Sequence, residues 1–338
     1  FQSQAGPVSL DRIREAIDRQ DFASARQMIS EYLQTDPSDS AEAFYLQGVV
    51  ATETGDLDGA REAFEESLQI HPGLTLSYIG LAEAFRKAGK PADSVTVLKN
   101  ALKVLPLDPL LHYQMGIELA RNGRFDEALE YLTNIPAGGQ LPPGYWETLG
   151  RTHLSAGNFA EAEKAMLKVL EERPDSVNTL QTLYALSLKQ GKNSEAWDYI
   201  RRARELAPNS AKIVYAFAVS SFQNYLVYET VTALRLLLLR EPDNPEYLFL
   251  LGTAVLETVT EFSKAPDYFK RYVELKPSDA SGYLMLGYSL YSNRMYSEAK
   301  EQLRSALEMD PDMIEPVFYM GIIASKDPRH EEAIEYLL

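Results

Sequence analysis

The chain contains no cysteine, and only two tryptophans and four histidines occur in its 338 residues. Without cysteine there is no disulfide framework, no thiolate zinc site and no cysteine nucleophile. Cations are short as well: 33 Lys and Arg stand against 49 Asp and Glu, a formal charge of −16. So acidic a chain does not coat a phosphate backbone without a strong local basic patch, which argues against nucleic acid as a partner. No apolar run nears the roughly 18 residues a membrane helix needs. The densest stretches, Ile213 to Val219 and Leu236 to Leu239, are far shorter, and membrane insertion is not expected. Gly-rich phosphate loops, zincin motifs and nucleophile elbows are missing too. With 45% hydrophobic and 24% charged residues the composition is that of an ordinary folded chain.

What is present is a period. Prolines stand at 37, 72, 106, 174, 208, 242, 277 and 311, in steps of 35, 34, 68, 34, 34, 35 and 34 residues. With each proline at position 32 of a unit, units start at 6, 41, 75, 109, 143, 177, 211, 245, 280 and 314, the last one truncated. Position 20 then reads Ala25, Ala60, Ser94, Ala128, Ala162, Ala196, Thr230, Ala265, Ala299 and Ala333, with Ala265 counted after a one-residue insertion. Position 8 holds Gly48, Ala82, Gly116, Gly150, Gly252, Gly287 and Gly321, and position 15 holds Gly55, Gly89, Gly123, Gly157 and Gly191. Small residues at fixed phase mean that two helices cross closely at one place in every unit. Glycine at position 15 suits a tight interhelical turn, and proline after the second helix stops it. Apolar stripes mark helix A (Trp146, Leu149, Gly150, His153) and helix B (Ala162, Met166, Val169, Leu170) in the fifth unit. Neither helix buries its stripe alone, so neighbouring units must stack.

Trp146, Leu149-Gly150, Ala162, Met166 and Pro174, and again Tyr283, Leu286-Gly287, Ala299, Leu303 and Pro311, resemble the tetratricopeptide repeat (TPR) pattern. The resemblance covers nearly the whole chain. It implies an all-α fold, a right-handed α-solenoid of about ten TPR helix-turn-helix units, with helix A lining the concave face. Residues 6–338 are read as a single solenoid. Residues 1–5 are set apart as an N-terminal extension, since Phe1-Gln2-Ser3 resembles the remnant of a protease cleavage site. Three departures are expected to disturb the array. Helix B of the fourth unit should stop near Asn134, before Pro136-Ala137-Gly138-Gly139. The seventh unit has Tyr225 and Thr230 where Gly and Ala are usual. The eighth carries the insertion and Pro266 near the start of helix B.

Catalytic chemistry is not expected, nor any cofactor or metal. His112 and His153 lie on core stripes with no ligand-spaced partner and read as packed histidines. Glu65-Glu66 and Glu171-Glu172 read as solvated faces. The informative stripe is positions 5, 9 and 12 of helix A, offset from the packing positions 4, 7, 8 and 11. In units seven to ten, ten of these twelve residues are apolar or aromatic. Tyr215, Phe222, Phe249, Leu256, Leu284, Tyr288, Tyr291 and Phe318 form the expected peptide-binding groove. The alternative is that curvature covers them with adjacent helices. Arg86, Lys87, Arg121, Arg151 and Lys189 make an expected basic groove patch, suited either to an acidic segment or to local pairing with Glu83, Glu118 and Glu147. The carboxylate clamp of chaperone-binding relatives wants asparagines at positions 6 and 9, and none is there.

The expected function is a non-catalytic protein–protein interaction scaffold or adaptor that holds a peptide or helical segment of a partner. One alternative is a self-assembling, homo-oligomeric module, joined through the apolar C-terminal end (Ile334, Leu337, Leu338) or the Leu234–Leu239 helix. Another is the targeting array of a larger enzyme. Compartment stays open between cytoplasm and the bacterial extracytoplasmic space, because a leader could have been removed.

Overall fold

Several helices begin where the sequence supplies a capping acceptor, a proline or both. In the computed structural model, which describes residues 8–35, 40–136 and 141–325, Asp108 accepts from the amides of Leu110 and Leu111 at 2.8 and 3.0 Å, ahead of Pro109. Asn244 does the same for Glu246 and Tyr247 ahead of Pro245. Such caps satisfy amides that the first helical turn leaves without partners.

The described residues form nineteen α-helices, and the chain divides into two compact units, residues 1–169 and 170–338. The first holds α1 (Leu10–Asp18), α2 (Phe22–Thr35), α3 (Ser40–Glu53), α4 (Leu57–Ile70), α5 (Thr75–Lys87), α6 (Pro91–Val104), α7 (Pro109–Arg121), α8 (Phe125–Thr133) and α9 (Tyr145–Ser155). α10 (Phe159–Glu172) runs across the division. The second holds α11 (Val177–Lys189), α12 (Asn193–Leu206), α13 (Ala211–Gln223), α14 (Val227–Leu238), α15 (Pro245–Leu256), α16 (Ala265–Leu275), α17 (Ala280–Ser292), α18 (Tyr296–Met309) and α19 (Ile314–Ser325). Odd-numbered helices are the A helices of the repeats and even-numbered ones the B helices.

The small residues do what their phase required. Every described residue at position 20, from Ala25 to Ala299 and including Ser94 and Thr230, is completely shielded from solvent. At position 8 a methyl group on Gly48, Gly116, Gly150, Gly252 or Gly287 would stand 2.5–2.8 Å from the nearest atom of Phe64, Leu132, Met166, Phe269 or Leu303, the residue that helix B presents at the crossing. Gly55, Gly89, Gly123, Gly157 and Gly191 all turn with positive φ, between 72° and 84°.

Within each unit most consecutive A helices touch: α1 meets α3, α3 meets α5, α5 meets α7, α7 meets α9, α13 meets α15, α15 meets α17 and α17 meets α19, whereas α11 and α13 do not. No two consecutive B helices lying within one unit do so among the described residues. A layer whose members touch, backed by a layer whose members do not, is curved with the touching layer inside.

The departures have their expected local effect. α8 ends at Thr133, with Asn134 as its cap, after nine residues instead of the fourteen of α4 or α18. Tyr145 compensates: its hydroxyl donates to the Leu132 carbonyl at 2.9 Å, one of the acceptors the shortened end leaves over. A single 3-10 turn, Phe262–Lys264, replaces the first turn of helix B in unit eight, and α16 follows with Pro266 in its opening turn. Pro37, Ala137-Gly138-Gly139, His330, Ala333, Phe1-Gln2-Ser3 and Ile334, Leu337 and Leu338 lie outside the described residues.

Candidate functional site

The A-helix stripe divides into two fates. In units seven and eight, Val214, Phe217, Ala218, Ser221, Leu248, Leu251, Gly252 and Val255 occupy positions 4, 7, 8 and 11, and all are buried. One residue further along the helix, nothing at positions 5, 9 or 12 of units seven to ten is buried. Tyr215, Phe222, Phe249, Leu256, Leu284, Tyr288 and Tyr291 are half-buried, and Phe318 is 53% exposed. Curvature therefore brings these rings into contact without covering them.

The rings form three groups. Tyr215 packs on Tyr247 with centroids 5.1 Å apart. Phe249 stands edge-on to Phe269 at 5.6 Å and lies 5.0 Å from Tyr272. Farther along, Tyr288, Tyr291 and Phe318 converge on Tyr319, at 5.0, 5.6 and 5.6 Å. Offset and edge-on pairs of this kind hold aromatic faces at fixed angles. Tyr319 sits at position 6, outside the positions singled out in the sequence. The clue was there in its neighbour, since Phe318-Tyr319 is an aromatic pair on an otherwise aliphatic helix. Burial raises the Tyr215 and Tyr319 hydroxyls above the ordinary tyrosine value, with neighbouring acids and tyrosines adding to it. Burial and the hydrogen bond to Asp279 push Tyr272 up to about 12. All three remain neutral donors at physiological pH.

Three of the expected patch residues, Arg86, Lys87 and Arg121, are in a charge ladder. Lys87 reaches Glu53 at 3.0 Å and Glu83 at 3.7 Å. Arg86 reaches Glu83 at 3.1 Å and Glu118 at 3.6 Å, and Arg121 closes on Glu118 at 3.0 Å. Glu118 is buried, accepts from Ser94 at 3.2 Å, and so has a positive partner on two helices. Arg151 has no ion-pair partner among the described residues. With Arg121, Tyr113 and Thr148 it lines a cleft of about 430 Å³ between α7 and α9. Lys189 is the last residue of α11, exposed, in the second unit.

His112 hydrogen-bonds the Pro106 carbonyl at 2.9 Å and packs on Tyr131, while the Nδ1 atoms of His112 and His153 are buried without a partner. The Leu234–Leu239 run is split: Leu234 and Leu237 are buried, whereas Leu236 and Leu239 are 39% and 80% exposed. Among the described residues no cluster of His, Asp or Glu could hold a metal, and no helix is long and apolar enough to cross a membrane.

This architecture is that of an α-helical repeat scaffold. Tetratricopeptide-repeat family models match residues 10–74, 79–142, 113–179 and 147–211, and a second such model matches 280–313. The chain belongs to the tetratricopeptide repeat family, whose members bind protein partners. It is 26% identical over 160 residues to the TPR repeat-containing protein PA4667 of Pseudomonas aeruginosa, covering 47% of this chain and 27% of that protein. It is 23% identical over 332 residues to the cellulose synthase 2 operon protein C of Komagataeibacter xylinus, covering 95% of this chain and 22% of that one. The chain thus spans about a quarter of the length of these curated relatives. Among solved structures, PilW, a type IV pilus biogenesis factor, superposes with a TM-score of 0.50 at 22% identity over 60% of this chain and 94% of its own.

Proposed function

We propose that this chain is a non-catalytic adaptor that holds an extended or helical segment of a partner protein on the A-helix face of its second unit. The observation that carries this reading is the contrast between neighbouring stripes: positions 4, 7, 8 and 11 are overwhelmingly buried, while none of the twelve residues at positions 5, 9 and 12 is. Half-buried aromatic side chains, fixed by one another and open on one face, offer large contact area at little further cost in conformational freedom. Tyr215, Phe222, Phe249, Leu256, Leu284, Tyr288, Tyr291 and Phe318 line this surface. In the first unit, Arg151 beside Arg121 supplies a place for a carboxylate, and Arg86 and Lys87 are reserved to the ladder.

The test is affinity capture from native lysate with the immobilised protein, wild type against Tyr288→Ala/Phe318→Ala. Phe318 is the most exposed ring, so the double variant should keep its helicity and lose the captured partner. Undiminished capture at equal helicity removes the groove assignment. A second reading, self-association, is favoured by the exposure of Leu236 and Leu239 on α14. Light scattering across a concentration series should then show mass rising in the wild type but not in Leu236→Ser/Leu239→Ser.

A further inference from the structure

Because consecutive B helices do not touch, a groove opens between them on the side away from the aromatic face, floored by the intervening A helix. Two such grooves are well formed. One lies between α2 and α4 over α3, with a volume of about 520 Å³; the other lies between α16 and α18 over α17, at about 430 Å³. Their geometry is alike and their chemistry is not. The rim of the first carries Arg26, Ser30, Gln34, Gln47 and Asp56, a balanced set. The rim of the second carries Asp267, Glu274, Glu298 and Glu301 against Lys270.

Only one of those four acids is engaged. Glu274 accepts from Arg271 at 2.7 Å, and Arg271 also holds Asp243. Asp267, Glu298 and Glu301 have no ion-pair partner among the described residues. Beneath them the floor is apolar: Val273, Leu286 and Leu290 are 8%, 5% and 6% exposed, and Met295 at the mouth is 41% exposed. Met295 is unbranched and adapts to the shape of what it touches. At this groove the 3-10 turn and Pro266 shorten α16 to eleven residues, and Ser263 and Pro266 stand on its lining. The three free carboxylates do not converge on a point as metal ligands would. They stand on two sides of the groove, Asp267 on α16 and Glu298 with Glu301 one turn apart on α18.

We propose that the α16–α18 groove docks a basic amphipathic segment of a partner protein. Its apolar side chain rests on Leu286, Leu290 and Met295, and its Lys or Arg side chains meet Asp267, Glu298 and Glu301. This surface is separate from the aromatic one. On α17, Leu286 and Leu290 follow Leu284 and Tyr288 by two residues, about 200° around the helix. Charge complementarity at the rim sets the sign of the partner, and the apolar floor distinguishes it from any diffuse counter-ion.

The probe is a fluorescent synthetic peptide of about 14 residues built from Lys, Leu and Ala with Leu at i and i+4, long enough for helical amphipathicity. Two companions carry Glu for Lys or Ser for Leu. Anisotropy is read against the full chain at about 0.15 M salt, where exposed charges more than about 8 Å apart are screened. The Lys-Leu peptide should bind. Asp267→Asn/Glu298→Gln/Glu301→Gln should weaken it at least about tenfold, a change of about 1.4 kcal/mol. Asp58→Asn/Glu65→Gln/Glu66→Gln, which removes three exposed acids from α4, should leave it unchanged. The Ser peptide should bind several-fold more weakly, and the Glu peptide not at all. Tyr288→Ala/Phe318→Ala should retain full peptide affinity, so loss of the aromatic groove and loss of this one are told apart. The proposal is overturned if the wild type does not bind the Lys-Leu peptide, if the groove variant binds it as well as wild type, or if the α4 variant weakens it equally.

Discussion

Phe64 lies against two glycines at once. A methyl group added to Gly48 would stand 2.6 Å from its ring, and one on Gly80 would stand 2.4 Å away. The ring is fully buried between helices of successive repeats, so it couples the inside of one unit to the start of the next. His153 shows a different consequence of burial. Its Nδ1 is enclosed without a partner, and desolvation lowers its pKa below the ordinary histidine value, opposed by Glu161. The folded state therefore prefers the neutral ring. The stability this contributes is full above the ordinary pKa of about 6.5 and is lost as pH falls from there towards the folded value. Thermal melts between about pH 7.5 and 5.5 should show wild type losing stability relative to His153→Gln, whose side chain does not titrate. Identical pH dependence would refute the desolvated environment.

Among elements, the interhelical turn is the most constrained. Position 15 takes positive φ in unit after unit, and glycine meets that at little cost. Tyr225 and Arg294 adopt the same conformation, at φ 59° and 62°, without glycine's freedom. The turn is retained because the flanking helices demand it: Asn224 donates to the Ser220 carbonyl at 2.8 Å and to the Asn193 carbonyl at 3.2 Å, tying the turn to its neighbour. Tyr225 is 91% exposed, so removing its ring sacrifices almost no packing. Tyr225→Gly should raise stability by about 0.5–1 kcal/mol, the left-handed penalty less glycine's extra chain entropy. Chemical denaturation measures it; a loss of stability would show that the strain is absent or that the ring is packed in solution. The early end of α8 makes a related point: a proline-rich stretch stops the helix, and Tyr145 from the next repeat takes over the carbonyl left behind.

At the scale of the whole molecule, contacts run from each helix to its neighbours in sequence order and rarely farther. Such arrays behave as nearest-neighbour systems, in which damage stays local. Gly287→Ala tests this. Its methyl group would fall 2.7 Å from Leu303, so overpacking should cost about 1–3 kcal/mol. Hydrogen exchange should accelerate in α16 to α19 and stay unchanged in α3 to α6. A uniform acceleration would mean that the chain unfolds as one cooperative body. The charge of −16 also belongs to this scale: it keeps copies apart and favours cationic partners generally, which is why the basic-peptide test requires neutralised acids elsewhere as its control.

The repeat period, the paired helices, the close crossings at Ala162 or Gly287 and the broken helix of unit four could be read from the sequence. The crossings are local steric requirements, met by a residue and its partner sixteen positions on, as in Gly150 with Met166 or Gly287 with Leu303, and the broken helix needs only its own proline and glycines. The half-open state of Tyr288 and Phe318 could not be read, because it depends on how far one A helix leans on the next. Pairing of Arg86, Lys87 and Arg121 with Glu83 and Glu118 was one of the two readings the sequence offered, but the extension of that ladder to Glu53 could not be read. Lys87 and Glu53 are 34 residues apart and meet only because stacking sets corresponding positions of successive repeats side by side. The same holds for Tyr319 at the centre of its aromatic group and for the acidic groove over α17. Short-range sterics are written residue by residue. The spacing between neighbouring helices, which decides what is paired and what is left open, is fixed only by their packing.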